Sequence, residues 1–185
     1  MSTTFFISDL HLQHTKILTF GRKFANIEEH DQTIIDNWNK TITDDDIVWL
    51  LGDVSVGGDL TKETIGRLRS LRGKKKLIGG NHCSSNKIKI YNAIFTDIVG
   101  CAEFKGDFIL THIPVHTSQV EERFKANLHG HLHKHVVMMK ELNKPHCDGI
   151  PDPRYFNCSC EQPMINFTPL AFDVIKNHLK SNRVI

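Results

Sequence analysis

The sequence lacks the features that mark exported and membrane-bound chains. No apolar run is long enough to span a bilayer, and the N-terminal apolar run reaches Asp9 without a preceding basic region, which argues against a signal peptide. Net charge is almost absent, because 23 Lys and Arg oppose 21 Asp and Glu for a formal charge of +2. That balance argues against a large nucleic-acid footprint. Five cysteines, an odd number without a Cys-x-x-Cys pair, are typical of reduced thiols and favour a cytoplasmic protein.

Histidine, in contrast, is abundant. Twelve of the 185 residues are histidine, whereas the chain has only two Tyr and two Trp. Histidine is the commonest metal ligand and a frequent acid–base group, so its positions are the first guide to function. With 39% hydrophobic and 24% charged residues, the chain suits a soluble globular protein, and a single domain over residues 1–185 is predicted.

Short apolar runs alternate with helical patterns along the chain. The patterns predict buried strands at 3–7, 47–51 and 76–78, helices at 27–38 and 60–71, a hairpin at 101–111, short strands at 127–129, 136–140 and 155–160, and a final helix from Thr168-Pro169 to about Leu179. The first half is therefore βαβαβ-like and the second half mostly β. This order favours an α/β sandwich with mixed sheets.

Polar residues of the metal-binding type directly follow five of these strand candidates. The five clusters are Asp9-Leu10-His11, Gly52-Asp53, Gly80-Asn81-His82, Thr111-His112 and Gly130-His131-Leu132-His133. Taken singly, Gly-Asp is usually a turn and Gly-Asn-His is compatible with a plain loop. Ligands of open α/β sheets bind at the carboxyl ends of strands, so the clusters are expected to converge on one edge.

The clusters together supply a ligand set of mixed chemistry. Two carboxylates, one amide oxygen and four imidazoles come from Asp9, Asp53, Asn81, His11, His112, His131 and His133. Such a set suits divalent first-row ions, with Mn²⁺ favoured and Fe, Zn²⁺, Ni²⁺ and Co²⁺ as alternatives. Seven ligands are too many for one tetrahedral site and suit two ions that share a carboxylate. Two-metal sites activate water and clamp the oxygens of a displacement at phosphorus, so metal-assisted phosphoester hydrolysis is predicted.

Through these five motifs, in order over residues 9–133, the sequence resembles the calcineurin-like metallophosphoesterase superfamily. The segment from Tyr155 to Leu179 is similar to the family's closing strand and helix, and the small size resembles the compact bacterial, archaeal and phage phosphoesterases. The resemblance implies an αββα fold, in which two mixed β-sheets pack as a sandwich flanked by helices. It also implies a dinuclear centre at one end of that sandwich.

The resemblance further implies a role for each motif residue. One metal would be held by Asp9, His11, Asp53 and His133, and Asp53 would bridge to a second metal completed by Asn81, His112 and His131. His82 would act near the leaving-group oxygen, as general acid or transition-state stabiliser, and a hydroxide bridging the ions would attack phosphorus. The family usually places Asp or Glu after Gly-Asn-His, where this chain has Cys83. That departure leaves the support of His82 open.

Three residues outside the ligand set are predicted to contact the substrate. His14 and Arg22 follow the first motif and are close enough in sequence to reach a substrate phosphate, for which a guanidinium fork is well suited. A plain surface role is the alternative for both. His116 follows His112 by four residues and is predicted to line the same pocket.

The predicted function is hydrolysis of a phosphomonoester or phosphodiester, small or nucleotide-like, so the expected partner is a small phosphorylated substrate. Two alternatives stay open: a non-catalytic protein-binding scaffold on the same fold, and a nuclease acting on single-stranded nucleic acid through Lys74 to Lys76. The presence of every ligand argues against the scaffold. The basic run Arg72–Lys76 is otherwise interpreted as the solvated start of a strand. No membrane contact or extended nucleic-acid binding is expected, and the oligomeric state is open.

Overall fold

A computed structural model describes residues 2–56, 60–139 and 149–185. Within those residues the strands are β1 (Thr4–Ile7), β2 (Ile47–Leu50), β3 (Lys74–Ile78), β4 (Asp97–Val99), β5 (Ala102–Phe104), β6 (Phe108–Leu110), β7 (Ala126–His129), β8 (Tyr155–Asn157) and β9 (Leu170–Ala171). They form a five-stranded sheet of order β4-β3-β2-β1-β9 and a four-stranded sheet of order β5-β6-β7-β8.

Both sheets are mixed. In the first, β1 to β4 are parallel and β9 is antiparallel to β1; in the second, β5 is antiparallel to β6, and β6, β7 and β8 are parallel. The predicted α/β sandwich with two mixed sheets flanked by helices is confirmed. Because neighbouring parallel strands end at the same edge, the loops that leave β1, β2 and β3 lie side by side.

The helices are α1 (Ile27–Thr41), α2 (Lys62–Ser70), α3 (Ile88–Tyr91), α4 (Thr117–Glu122) and α5 (Phe172–Ser181), with 3-10 turns at Thr15–Phe20 and Ser85–Lys87. The predicted N-cap of α1 is present, since the Asn26 side chain accepts the Glu29 N–H at 2.9 Å. In the described part of the chain, no helix combines the length and apolar content that crossing a bilayer requires.

The last helix begins later than the sequence pattern predicts. Leu170 and Ala171 pair with Phe6 and Phe5 of β1, so the segment after Thr168-Pro169 is an edge strand and α5 starts at Phe172. A Thr-Pro pair is a common start of a helix, but the two residues after it, Leu170 and Ala171, pair with the edge of β1 instead. The tertiary hydrogen bonds therefore override a local signal.

Two further segments differ from the predicted pattern. The strand predicted at 155–160 ends at Asn157, and the strand predicted at 136–140 is reduced to one bridge between Met138 and Pro151. Residue 140 itself lies outside the described residues. Short β4, α3 and α4 were not predicted, because three to six residues give too little periodicity to detect.

The basic residues at the start of β3 make more contacts with the protein than predicted. β3 begins at Lys74, and the Lys75 side chain is buried with its ammonium donating to the Leu71 carbonyl at 2.5 Å. Lys76 lies 3.6 Å from the Asp97 carboxylate and over the Trp49 ring. The prediction of a solvated strand start is therefore wrong for Lys75, whereas Arg72 and Lys74 are exposed.

An aromatic cluster joins the two sheets. Phe6 of β1 packs on Phe104 of β5 with ring centroids 5.3 Å apart, and Phe172 of α5 packs on Phe104 and on Phe108 of β6 at 4.9 and 5.2 Å. Edge-to-face pairs of this kind contribute about 0.5–1.5 kcal/mol each beyond the area they bury. This packing fixes the two sheets relative to each other, and thereby the loops at their ends.

Candidate metal centre

The structure brings the seven predicted ligands together at the carboxyl ends of five strands. The ligand-bearing loops follow the strands directly, with Asp9 and His11 after β1, Asp53 after β2, Asn81 after β3, His112 after β6, and His131 and His133 after β7. Two sets of ligand atoms lie close enough to hold a metal ion: Asp9 with His11 and His133, and Asp9 with Asp53 and His112. Below, the first group is Asp9, His11 and His133, and the second group is Asp53, Asn81, His112 and His131.

Most of these residues have a backbone conformation that non-glycine residues rarely adopt. Positive φ angles occur at Asp9 (57°), His11 (50°), Asp53 (49°), His131 (70°) and His133 (52°). A left-handed non-glycine residue costs about 1–3 kcal/mol and persists only where its surroundings hold it. The loops are therefore fixed by their contacts, which aim the side chains inward.

Asp9 anchors the first group. The residue is fully buried, and its Oδ2 accepts hydrogen bonds from Ser8 Oγ (2.5 Å), the His131 N–H (2.9 Å) and Ser159 Oγ (2.9 Å). Its Oδ1 accepts no hydrogen bond from any described residue. A buried carboxylate oxygen without a donor is costly, and a bound cation would satisfy it.

His11 shows the same deficiency. Its ring is buried, and neither ring nitrogen has a hydrogen-bond partner among the described residues. Its Nε2 lies 3.8 Å from Asp9 Oδ1 and 3.9 Å from Asp53 Oδ2. The His133 ring stacks on the His11 ring at 5.2 Å. Imidazole nitrogens and carboxylate oxygens therefore face a common point, with no protein donor between them.

The second group is built around His112. Its Nδ1–H donates to the Leu51 carbonyl at 2.8 Å, which leaves Nε2 as the lone-pair nitrogen of the neutral ring. That Nε2 lies 3.1 Å from Asp53 Oδ2 and 2.8 Å from Asn81 Oδ1, and Asn81 Oδ1 is also 3.0 Å from His131 Nδ1. In the neutral tautomer three acceptor atoms converge, which is the arrangement a metal ion stabilises.

Asp53 lies between the two groups. Its Oδ1 accepts the His82 backbone N–H at 2.9 Å, while its Oδ2 faces His112 Nε2 and His11 Nε2. Gly80 is required beside it, because a Cβ there would overlap Asp53 Oδ1 and lie 2.6 Å from the Asp53 nitrogen. Asp53 Oδ2 therefore faces a ring nitrogen of each group.

The electrostatics of the centre favour added positive charge. Burial alone would raise the pKa of Asp9, but the imidazoles of His11 and His112 and the Ser8 hydroxyl hold it well below its usual range. Burial would likewise lower the pKa of His112, yet Asp53 and Asp9 raise it. The carboxylates thus stay ionised and attract positive charge to the space between them. In the metal-free protein that charge is a proton.

Glu161 supports the first group and was not predicted. Its Oε1 accepts from His133 Nδ1–H at 2.9 Å and from Arg22 Nε at 2.8 Å. These contacts outweigh burial and lower the pKa of Glu161 to about 2. The carboxylate fixes the His133 tautomer so that Nε2 is the free nitrogen. Glu161 lies 28 residues beyond His133 and outside every motif, so no local pattern marks it.

Arg22 is placed differently from the predicted substrate contact. The side chain is buried, and its guanidinium donates to the carbonyls of Asp9 (2.6 Å) and Leu10 (3.1 Å), to Glu161, and to His30 Nε2 (2.8 Å). Because these acceptors occupy the fork, the structure contradicts a phosphate contact by Arg22. The residue instead holds the loop that carries the first motif.

The other predicted residues lie around the two groups. His82 is exposed and its ring is 5.6 Å from the His11 ring, and the His14 ring is 6.0 Å from the His11 ring. His116 is the N-cap of α4, where its Nδ1 accepts the Ser118 N–H at 3.3 Å. His82 and His14 therefore border the candidate centre, whereas His116 has a local capping contact.

Cys83, the residue after Gly-Asn-His, places no negative charge beside His82. Burial raises the pKa of the Cys83 thiol, which lies near the Tyr91 hydroxyl. A neutral thiol cannot stabilise a protonated imidazole as a carboxylate would. Any charge support for His82 must come from residues other than its sequence neighbour.

The chain is similar in sequence to proteins whose names state no activity. No protein-family model matches the chain. An uncharacterized protein of Methanocaldococcus jannaschii is 29% identical over 193 residues, which cover 100% of this chain and 96% of that protein. The gene 66 protein of Mycobacterium phage L5 is 27% identical over 173 residues, covering 78% of this chain and 84% of that protein. Membership of the calcineurin-like superfamily therefore stays a prediction.

Solved structures show that the fold is shared. A protein of unknown function from Aquifex aeolicus matches 96% of this chain and 99% of its own, with a TM-score of 0.70 and 21% identity. A novel archaeal phosphodiesterase matches 86% of this chain and 85% of its own at a TM-score of 0.45 and 17% identity. The first match shows a common fold, and the second is too distant to support an argument about activity.

Proposed function

We propose that the protein is a dinuclear metal-dependent phosphoesterase that hydrolyses a phosphomonoester or phosphodiester. One observation carries the proposal: ligand atoms from four strand ends converge with no protein donor between them. They are Asp9 Oδ1 and His11 Nε2 in the first group, and Asp53 Oδ2, Asn81 Oδ1 and His112 Nε2 in the second. A site of that composition is costly without cations and stable with them.

The residues present fit two divalent first-row ions, with Mn²⁺ as the first choice and Fe, Zn²⁺, Ni²⁺ or Co²⁺ as alternatives. The first ion would be held by Asp9, His11, Asp53 and His133, and the second by Asp53, Asn81, His112 and His131. Such ions, when bound, lower the pKa of an attacking water and neutralise the phosphoryl oxygens.

The chain's own residues would divide the remaining work. Asp53, between the two groups, would keep the two sets of ligands in register. His82 is exposed and borders the centre, where its imidazolium would donate a proton to the leaving oxygen. His14 borders the same centre and would contact the phosphoryl group. The Leu51 carbonyl and Glu161 would hold the tautomers of His112 and His133 that present Nε2.

The proposal is tested by stripping the purified protein of metal and restoring Mn²⁺. We expect hydrolysis of p-nitrophenyl phosphate or bis-p-nitrophenyl phosphate only after metal is restored, together with binding of two ions measured by calorimetry. The variant Asp53→Asn should lose both properties, while Asp36→Asn, an exposed residue of α1, should keep them. The two variants make the same change of charge, so a difference between them reports on the site.

Two outcomes would contradict the proposal. Binding of two ions without hydrolysis of either ester, under any of the candidate metals, would favour the protein-binding scaffold on the same fold. Hydrolysis that persists in a chelator, or that Asp53→Asn leaves unchanged, would show that the activity belongs elsewhere.

A further inference from the structure

Phe20 is the exposed aromatic residue beside the candidate metal centre. Its side chain is 61% exposed, whereas the other aromatic side chains among the described residues are buried or half-buried. An exposed phenyl ring is costly in water and needs a reason when it lies at the mouth of a site. Phe20 therefore differs from the rest of the aromatic residues in both exposure and place.

The Phe20 ring is the outer member of a stack that starts at the metal ligands. His11 and His133 stack with their rings 5.2 Å apart and 29° from parallel. Phe20 continues the stack on His133, with ring centroids 6.5 Å apart and planes only 13° from parallel. Since the ring is mostly exposed, this stack leads from the first group to solvent and ends on an aromatic face.

Neighbouring residues hold Phe20 in this position. It ends the 3-10 turn Thr15–Phe20, which is attached to the core by the buried Ile17. Gly21 follows with a φ of 97°, a left-handed conformation that glycine adopts without strain, and its N–H donates to Leu18. Arg22 is then fixed to the Asp9 and Leu10 carbonyls. The ring is thereby placed beforehand relative to the first group, which lowers the entropy cost of stacking a ligand on it.

We propose that Phe20 is a stacking platform for a nucleobase of the substrate, whose phosphate lies at the candidate metal centre. The inference rests on the proposed function and narrows it to nucleotide-like esters. Stacking on an aromatic side chain stabilises the binding of every base, because each base has a π face. The platform therefore selects for a base and discriminates weakly among bases.

The test compares a ligand with a base and one without. The methylenephosphonate analogues of adenosine 5′-monophosphate and ribose 5-phosphate, in which a carbon replaces the ester oxygen so that no ester bond can be hydrolysed, are titrated into the Mn²⁺-loaded protein by calorimetry; below they are called the nucleotide and ribose 5-phosphate. The titrations use the wild type and Phe20→Ala, Phe20→Leu and Phe20→Tyr. We expect Phe20→Ala and Phe20→Leu to weaken binding of the nucleotide about 10-fold and to leave ribose 5-phosphate unchanged. Phe20→Tyr should restore nucleotide binding, because it restores the ring. Val174→Ala, an exposed apolar residue of α5, is the matched control and should change neither affinity.

Several outcomes would overturn the platform. Equal losses for both ligands would assign Phe20 a structural role, and an unchanged nucleotide affinity would assign it none. A change in the mass of the protein in solution on Phe20→Ala would identify the ring as part of a subunit contact. Metal binding and p-nitrophenyl phosphate hydrolysis are measured on the same samples to separate the two proposals. If both persist while the Phe20 variants bind the nucleotide with wild-type affinity, the platform is wrong and the proposed function stands.

Discussion

The two halves of the candidate metal centre carry similar ligands but are held in different ways. In the first group, a carboxylate fixes the metal-facing histidine, since Glu161 accepts from His133 Nδ1–H. In the second group a neutral backbone carbonyl does so, since Leu51 accepts from His112 Nδ1–H. One half therefore depends on charged side chains distant in sequence, whereas the other depends on the path of the main chain.

Behind the first group lies a buried network of four charged or titratable residues, the Arg22 network of Glu161, Arg22, His30 and Asp31. Arg22 contacts His30 Nε2 at 2.8 Å, and His30 Nδ1 lies 2.8 Å from Asp31 Oδ1. Asp31 Oδ2 accepts the N–H of Gln13 at 2.9 Å, in the same loop as the first motif. Removing one member of a buried ionic network leaves another charge unpaired and costs several kcal/mol.

The second group has less charge behind it and more solvent around it. Asp53 Oδ1 is held by the backbone N–H of His82, and Asn81 is exposed. Gly80 contributes only by the absence of a side chain. We therefore expect substitutions in distant side chains to weaken the first group selectively, and small changes in the loop after β3 to weaken the second.

The largest effect is expected where the two halves meet. Asp53→Asn should remove the charge that both sets of ligands face, and should lower the hydrolysis rate by more than about 100-fold, the upper range for residues that only support a ligand. Calorimetric titration with Mn²⁺ should show either that neither ion binds or that one ion no longer binds and the other binds more weakly. A variant that binds two ions with wild-type affinity would show that Asp53 is not shared.

The next effect should separate the halves. Glu161→Gln keeps the shape of the side chain but removes the charge that orients His133, so one Mn²⁺ should bind about 10–100-fold more weakly while the other is unaffected. The control is Glu122→Gln, an exposed residue of α4, which should leave both ions unchanged. Equal weakening of both ions would mean that the halves are not independently supported.

The convergence of the motif residues could be predicted because each motif has a local position, just after a strand. Asp9, Asp53, Asn81, His112 and His131 directly follow strands, and parallel pairing makes neighbouring strand ends meet. The Arg22–Glu161 contact joins residues 139 positions apart, and no periodicity or spacing reports a contact at that range. Arg22 was accordingly predicted to face substrate, since nothing local shows that its fork is occupied by backbone carbonyls.

The fold shows the same division between local and long-range information. The predicted strands at 3–7 and 47–51 and the helix after Asn26 appear because hydrophobic pattern and capping agree. The start of α5 does not, because Leu170 and Ala171 complete the edge of β1. An edge strand of two residues is decided by its partner and has no pattern of its own.

A smaller effect should come from glycine substitutions that test the second group. At Gly80 an added Cβ would overlap the Asp53 carboxylate, so Gly80→Ala should destabilise the protein by about 1–3 kcal/mol and weaken metal binding at the second group. Gly66, in α2, has open space at its Cβ position, and Gly66→Ala should stabilise the helix by about 0.5–1 kcal/mol. Urea unfolding of both variants measures the difference. If both variants change the unfolding free energy in the same direction and to the same extent, Gly80 does not support the second group.

The smallest effect expected is the pH dependence that the Glu161–His133 pair gives to the stability of the metal-free protein. The pKa of Glu161 falls from 4.5 to about 2 on folding, because contacts with His133 and Arg22 outweigh the burial that alone would raise it. A lowered carboxyl pKa stabilises the fold fully above about pH 4.5, and that stability is lost as the pH falls toward 2. The pKa of His133 is raised, since its contact with Glu161 outweighs burial, so its contribution is present below the usual 6.5 and is lost at higher pH.

The two signs define a window between about pH 4.5 and 6.5 in which the pair stabilises the metal-free fold most. Urea unfolding of the wild type and Glu161→Gln, with a chelator present, should show the largest difference in that window and a smaller one near about pH 3. Glu122→Gln should show no such window. If the difference in unfolding free energy between the wild type and Glu161→Gln stays constant with pH, Glu161 acts through its shape and not through its charge. The contrast between the first group, held by a charged side chain, and the second, held by the backbone, would then have no electrostatic basis.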